Sequence, residues 1–280
     1  MVEKIESLEV KYRSWYKGIP PKAIKLQIPG WAGDSHGHED GDKPQPWHCP
    51  PFVEGSTYGL ELIYPFDTEV HVTNAGKIVF HGDFSSEQEG ACMDYPFKTF
   101  APGHFGFTSS LDLEPPPGYA IRLESHPRLY TDTTETVPMV VPGHIQGEWW
   151  PKVFFVVFKA PAPHQTYVFR KGEPYGQILI VPKKVSYDVV EMTAEEKHKR
   201  FKLDDKISKH GKRISDHKFI DNTGQEFNDK YKVVRRAFSK GGMEAVDCMF
   251  EEAAENATAE KTEEEKTARK RFGRRVLGLK

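Results

Sequence analysis

The chain has 280 residues, a formal net charge of -2 and three cysteines. This length suits one large β domain with an appendage, or two small domains. Because the charge is near neutral, it provides no general attraction to nucleic acid or to an anionic membrane. The cysteines are scattered and odd in number, which favours reduced thiols over a disulfide framework. The first ten residues are charged and no apolar run approaches the ~20 residues of a membrane helix, so we expect a cytoplasmic protein without a membrane span.

The N-terminal quarter combines a short predicted strand with a long predicted loop. Residues 8–12 have a strand pattern. Residues 28–51 are rich in Gly, Pro, Trp and His, which predicts an ordered loop without regular structure.

From Tyr58 onward the pattern has a period of two, which is typical of strands. Leu60, Leu62 and Tyr64 fall on one face and Glu61 on the other, while Ile63 indicates that both faces are partly covered. Further predicted strands are residues 69–72, 77–81, 119–124, 137–141, 153–158, 166–169 and 177–181, with a hairpin turn at residues 73–76. The spacing by Pro and Gly predicts a mainly β domain, a jelly roll or β-sandwich, over residues 1–190.

The composition changes near Met192, and residues 191–280 are predicted to form a charged helical appendage that ends in a basic tail. Thr193 and Glu196 have the spacing of a capping box. Two apolar stripes follow, separated by Gly241 and Gly242: Tyr231, Val234 and Phe238, then Ala245, Val246, Met249, Phe250 and Ala253. They predict either packing within the appendage or a homo-oligomer formed through residues 228–257. The basic tail is interpreted as a solvated or interface segment, so nucleic acid is not expected as a partner.

Several phrases of the central region recur in one protein family. PPPGYAIRLES, GEWWPKVFFVVFKAP and FRKGEPYGQILIVP carry the likeness, with weaker support from CPPFVEGSTYGLELIYP and HFGFTSS. Over about residues 49–182 the chain resembles a family known only as domain of unknown function 6065. The resemblance implies a shared β-rich core and no particular activity.

Two groups of residues are candidate metal ligands. His36 and His38 form an H-x-H pair like that of cupin jelly rolls, although their Gly and Asp neighbours also fit a solvated loop. His81 and Asp83 form an H-x-D pair, to which His126 or His144 would add a third ligand and Arg170 a grip on a carboxylate co-substrate; ordinary turn chemistry is the alternative. The metal would be divalent Fe, Zn or Mn.

The phrase Pro-Gly-His occurs twice and suggests a ligand site at the rim of a sheet. If the two segments lie side by side, His104 and His144 share the mouth of the β domain with Glu148 and Trp149; otherwise they follow two unrelated turns. Glu61 or Glu148 would become a general base if buried beside a histidine. The alternative is a glutamate that faces solvent or pairs with Arg122 or Arg170.

Two functional classes fit these patterns. The first is a cupin-like or jelly-roll protein that binds a small molecule, with a metal-dependent enzyme as its special case. In that reading, His104, His144 and Glu148 are catalytic, while Trp149, Glu61 and Arg170 line the pocket. The second is a non-enzymatic structural or assembly protein whose helical C-terminus docks a partner or a second subunit.

Overall fold

The structure is a computed structural model that describes residues 7–25, 50–88, 95–130, 132–215, 218–220 and 226–276. The described residues fall into two compact units. The β unit contains residues 7–25 and 54–187, and the helical unit includes residues 188–276. Within these described ranges, no helix has both the length and the apolar character needed to cross a membrane. The mainly β class with a C-terminal helical part is confirmed.

The β unit is made of short strands. They are β1 (Lys11–Ser14), β2 (Lys22–Ala23), β3 (Leu60–Ile63), β4 (Val70–Asn74), β5 (Ile78–His81), β6 (Phe97–Ala101), β7 (His104–Thr108), β8 (Leu111–Glu114), β9 (Tyr119–Glu124), β10 (Gly143–Ile145), β11 (Phe155–Lys159), β12 (Tyr167–Phe169) and β13 (Pro174–Pro182). Helix α1 (Pro50–Thr57) precedes β3, α2 (Ser85–Gln88) follows β5, and a 3-10 helix (Pro127–Tyr130) follows β9.

The strands pair antiparallel in four sheets. The largest has the order β10-β9-β13-β3-β2, with β13 at its centre. Two three-stranded sheets have the orders β11-β7-β6 and β12-β4-β5, and β1 pairs with β8. A jelly-roll or sandwich topology remains a prediction.

The sheets share one apolar core that is dense in aromatic rings. Leu62, Leu123 and Ile178 are buried on the core face of the five-stranded sheet, at alternate positions of β3, β9 and β13. The ring centroid of Tyr64 lies 5.3 Å from that of Phe107, which is on β7. Such ring pairs join different sheets and add to the stability from apolar burial.

Two local predictions for the described residues require correction. Residues 50 and 51 were predicted to end a loop, but they begin α1; prolines are tolerated in a first helical turn, where backbone N–H groups have no helical partner. The rest of the predicted loop lies outside the described residues. The strand predicted over residues 137–141 is reduced to an isolated bridge between Val140 and Phe158.

The helical unit contains α3 (Ala194–Ile214), the hairpin strands β14 (Lys218–Ile220) and β15 (Glu226–Asn228), and α4 (Lys230–Val276). The capping box is confirmed, because the Thr193 hydroxyl accepts from Glu196 N at 3.3 Å and Glu196 Oε2 accepts from Thr193 N at 2.7 Å. The hairpin was not predicted.

The two predicted stripes of α4 have different surroundings. The helix is interrupted at Gly241 and Gly242, and Gly242 has a φ of 66°, which glycine adopts without strain. Beyond this break, Val246 and Phe250 are buried, whereas Tyr231 and Phe238 before it are exposed. The second stripe is therefore a packing face, and the first is a free surface of this unit.

Candidate functional site

The most unusual polar residues of the β unit lie on the five-stranded sheet, on the face opposite the core. Because side chains alternate along a strand, burial of Leu62 directs Glu61 to this reverse face. Gln177 on β13 lies between Glu61 on β3 and Glu124 on β9 in the strand register. Three polar side chains thus form a row across adjacent strands.

Glu61 is buried beside a histidine. His126 follows β9, two residues after Glu124, and its Nε2 lies 3.5 Å from Glu61 Oε2. Glu61 is 4% exposed and His126 is 6% exposed. The separation exceeds the 2.7–3.2 Å of a good N–H···O hydrogen bond. The two groups are close enough to act on one ligand atom without being bonded to each other.

The surroundings of His126 fix its tautomer. Its Nδ1 accepts a hydrogen bond from the backbone N–H of Arg128 at 3.2 Å. In a neutral ring the proton is therefore on Nε2, the nitrogen nearest Glu61. His126 is accordingly arranged to donate from Nε2, and the Glu61 carboxylate is arranged to accept.

These two atoms have no hydrogen-bond partner within the described part of the chain. Glu61 Oε2 and His126 Nε2 are both buried and unsatisfied. An unsatisfied buried polar group costs about 1–3 kcal/mol of stability, and more when it is charged. Since most buried polar groups in folded proteins are bonded, such a pair requires an explanation.

A series of ion pairs runs from Arg128, whose backbone N–H bonds to the His126 ring, to the surface. Arg128 Nη1 donates to Glu173 Oε2 at 3.1 Å, and Arg170 Nη1 lies 3.9 Å from Glu173 Oε1. Arg170 Nε also donates to Glu69 Oε2 at 2.8 Å. Arg170, a predicted pocket residue, therefore pairs with Glu69 and Glu173 at the outer end of this series.

Glu69, at the outer end of this series, has a lowered pKa. The largest cause is the hydrogen bond from His71, and the hydrogen bond from Arg170 lowers the pKa further. This end of the series is exposed, whereas the Glu61–His126 pair is buried.

The predicted pairing of His104 with His144 does not occur. His104 begins β7 and lies opposite Lys159, whereas His144 is on β10, in a different sheet, opposite Arg122. Pro102 and Gly103 do form a turn, in which Gly103 has a φ of 73°. Gly143 instead lies within a strand, so the second Pro-Gly-His phrase is not a turn. The two phrases therefore do not lie on adjacent strands.

A surface cavity of about 330 Å³ lies next to the first of these turns. Its lining includes Asn74, Phe100, Pro102 and Gly103, from the β4–β5 and β6–β7 turns. His104 is not part of this lining. Its Nδ1 donates to Pro102 O at 3.0 Å.

Glu148 and Trp149 lie on an exposed turn after β10. Glu148 forms an ion pair with Lys183 and is exposed, so it does not meet the predicted condition of burial beside a histidine. Trp149 is exposed and does not line a buried pocket. Of the two predicted general bases, only Glu61 lies beside a histidine.

The metal predictions find no support in the described ranges. His81 contacts the Thr73 hydroxyl at 3.0 Å, and Asp83 Oδ1 accepts from Ser85 N at 2.9 Å at the start of α2. This backbone bond is the main cause of the lowered pKa of Asp83. No three His, Cys, Asp or Glu side chains there are grouped to hold a metal ion. His36 and His38 lie outside the described residues.

Sequence reasoning considered Glu61 and His126 separately and missed that they form a pair. One signal was available: Glu61 stands in LELIY, where Ile63 already indicated that the reverse face is covered. His126 has the same parity as Arg122 and Glu124, and therefore belongs to the reverse face if β9 is extended. No pattern in the sequence predicted the contacts that Arg128, Glu173 and Gln177 make around this pair.

No protein-family model matches the sequence, and no curated protein matches it. Among solved structures, the chain is similar to dUTPases at 10–12% identity. For the dUTPase from phage phi11 of S. aureus, the TM-score is 0.33, with 66% of this chain and 96% of that chain covered. For the EIAV dUTPase the TM-score is 0.31 with 66% and 98% covered, and for the dUTPase from Staphylococcus bacteriophage 80alpha it is 0.34 with 67% and 96%.

Proposed function

We propose that the β unit binds a small hydroxyl-bearing molecule at the Glu61–His126 pair. The observation that carries the proposal is the buried, unsatisfied pair of atoms, Glu61 Oε2 and His126 Nε2. A single hydroxyl satisfies both, because it donates to the carboxylate and accepts from the imidazole N–H. Binding would thereby remove the cost of two unmade hydrogen bonds.

The same arrangement suits acid–base chemistry. Glu61 would take the proton of the ligand hydroxyl, and the fixed Nε2–H of His126 would stabilise the oxygen left behind. Gln177 would hold the end of α1, since its side-chain Nε2 donates to the carbonyl of Tyr58. Both residues of the pair are almost fully buried, so a ligand could reach them only if neighbouring segments moved.

The first test is native mass spectrometry of the purified full chain, combined with thermal shift against a panel of polyols, hydroxy acids and nucleosides. We expect a small-molecule adduct, or a ligand-dependent rise in Tm, in the wild type. Glu61→Gln and His126→Gln should each abolish it.

Glu124→Gln is the matched control, because Glu124 lies on the same face but is partly exposed and bonded to Arg122 at 2.6 Å. It should bind like the wild type. A wild type without adduct or shift, or variants that bind equally well, would contradict the proposal.

Metal dependence is a separate proposal that concerns His36 and His38. Elemental analysis of protein purified without chelator or affinity nickel tests it, with the His36→Ala/His38→Ala variant as the comparison. Near-stoichiometric Fe, Zn or Mn that disappears in this variant is the supporting result, and a metal-free wild type removes the proposal.

The second candidate function is assembly through the helical unit. Its support is the exposed first stripe of α4, where Tyr231 and Phe238 remain 54% and 44% exposed. Such rings are enriched at protein interfaces. Light scattering should give an oligomer for the wild type and a monomer for Tyr231→Glu/Phe238→Glu. The control is Phe201→Glu, at an exposed ring on α3; a monomeric wild type would reject assembly.

A further inference from the structure

The turn after β9 is built around the neutral ring of His126. The ring Nδ1 accepts from the backbone N–H of Arg128 at 3.2 Å, and the backbone carbonyl of His126 accepts from the N–H of Leu129 at 2.9 Å. The second bond begins the 3-10 helix Pro127–Tyr130, and the first satisfies one of the N–H groups that the start of a helix leaves unpaired. The imidazole therefore has the role that an Asn or Asp side chain has in an Asx turn.

The bond from Arg128 also keeps the ring away from Glu61. Nε2 of His126 lies 3.5 Å from Glu61 Oε2, beyond the range of a good hydrogen bond, although both atoms are buried. A ring free to tilt would close this gap, because Nε2 carries a proton and the carboxylate is an acceptor. The contact of Nδ1 with the Arg128 N–H opposes that movement.

Protonation of the ring acts on both contacts in the same direction. The added proton goes to Nδ1, since Nε2 already carries one, and Nδ1 can then no longer accept from Arg128. The positive charge also strengthens the attraction of Nε2–H for Glu61, because charge-assisted hydrogen bonds are shorter and stronger than neutral ones. Histidine side chains as a class change charge between pH 5 and 8, so this is the range in which the two contacts should exchange.

The other charged groups around the ring are paired with each other or exposed. Two ion pairs lie on the same and neighbouring elements: Arg128–Glu173 and Arg122–Glu124. The outer strands add exposed groups to this face of the sheet: Lys22 on β2, opposite Glu61, and His144 on β10, opposite Arg122. Among the groups named, the Glu61 carboxylate is the one placed within 3.5 Å of the ring.

We propose that His126 is an acid-operated switch that closes the ligand site. While the ring is neutral, its bond to the Arg128 N–H leaves Glu61 Oε2 and His126 Nε2 available to a ligand hydroxyl. When the ring is protonated, the Arg128 N–H is released and Nε2 pairs with Glu61, so the two ligand-binding atoms satisfy each other. The inference rests on the proposed function for what the site binds, but the switch itself requires no ligand.

The test is a pH series on the ligand-free full chain. Nuclear magnetic resonance of isotope-labelled histidine should show the Nε2–H tautomer of His126 at pH 8 and a ring protonated on both nitrogens at pH 5. Hydrogen exchange, corrected for its intrinsic dependence on pH, should show the protection of the Arg128 amide falling about tenfold over the same range. This is the fall expected when a buried hydrogen bond is lost.

His126→Asn separates the hydrogen bond from the titration. An asparagine oxygen accepts from the N–H two residues further on and does not titrate, so the Arg128 amide should stay protected at pH 5. Glu61→Gln keeps the histidine but removes the carboxylate charge, so the loss of protection should move to lower pH. His104→Asn is the matched control, because His104 lies outside the site and its Nδ1 contacts Pro102 O. It should lose protection at Arg128 as the wild type does.

Two results would overturn the switch. One is an Arg128 amide that keeps its protection from pH 8 to pH 5 in the wild type, and the other is a His126→Asn variant that loses protection as the wild type does. If His126→Asn does not fold, an unshifted response in Glu61→Gln overturns the switch in the same way. A ligand screen without any adduct rejects the proposed function instead, and it leaves the pH dependence of the Arg128 amide unaffected.

Discussion

The two faces of the five-stranded sheet are made by the same strands, but one face is apolar and the other is polar. On the core face, Leu62, Ile178 and Leu123 are buried against aromatic rings. On the reverse face, the adjacent residues Glu61, Gln177 and Glu124 form a polar row, in which Glu61 and His126 each keep one unsatisfied buried atom. The core face is packed for stability. The reverse face keeps two unmade hydrogen bonds, and ligand binding would explain why their free-energy cost is retained.

The largest expected effect is on the core face. Leu62→Ala should lower the free energy of unfolding by about 2–5 kcal/mol, because it removes buried methyl groups and leaves a cavity. Denaturant unfolding measures this effect. Leu179→Ala, at a half-buried position of the reverse face, is the matched control and should cost clearly less. Equal losses would mean that the two faces are packed alike.

The two unsatisfied atoms of the Glu61–His126 pair make the two single changes unequal. Glu61→Leu removes a buried oxygen that has no hydrogen-bond partner, so it should change the free energy of unfolding by less than about 1 kcal/mol or raise it. His126→Leu leaves the backbone N–H of Arg128 without its acceptor and should cost about 1–3 kcal/mol. Denaturant unfolding of both variants measures the difference. A loss as large in Glu61→Leu as in His126→Leu would show that the Glu61 carboxylate is satisfied in the folded protein.

Glu87 is also a buried acid, and it differs from Glu61 because its oxygens are bonded. Lys17 donates to Oε2 at 2.9 Å and Thr68 N donates to Oε1 at 2.6 Å. Burial, the largest single influence, raises the pKa of Glu87, but these bonds together lower it more, so that the net pKa is below the ordinary value. Its contribution to stability is therefore present above the unfolded pKa of about 4.3 and is lost as pH falls through the lower folded pKa.

Glu87→Gln should accordingly cost about 1 kcal/mol near neutral pH and should flatten the loss of stability at acid pH. Unfolding curves between pH 7 and the acid transition measure both effects, in wild type and variant. Asp67→Asn is a suitable control, because Asp67 shares Lys17 but is exposed. If stability falls with pH in Glu87→Gln as steeply as in the wild type, Glu87 does not contribute to the acid sensitivity of the fold.

The smallest effect is expected at the exposed edge of the reverse face. Arg122 and Glu124 form a surface ion pair on β9, and such pairs contribute about 0–1 kcal/mol. Arg122→Ala should therefore change stability by less than about 0.5 kcal/mol, and 0.5 M salt should remove most of that difference. A larger loss of stability would show that Glu124 is as strongly involved in the polar row as the buried Glu61 and Gln177.

The sequence predicted the core face better than the reverse face, for a physical reason. Leu60, Leu62 and Tyr64 follow a period of two, and this local pattern determines which side chains are buried. The pairing of Glu61 with His126 depends instead on β9 and β3 both lying beside β13, which is a long-range arrangement without a periodic signal. The segments of His104 and His144 do not lie on adjacent strands, because a repeated phrase does not specify which sheet its residues join.

The central place of β13 has a consequence for how the chain is made. Strands β3 and β9 are separated in the sheet by β13, which is the last of the three to be synthesised. Until Pro182 has left the ribosome, both strands carry edges without their final partner, and such edges are prone to pair with other chains. The sheet that holds Glu61 and His126 can therefore form only after translation has passed β13, so nascent chains that stop earlier should depend on chaperones to remain unaggregated.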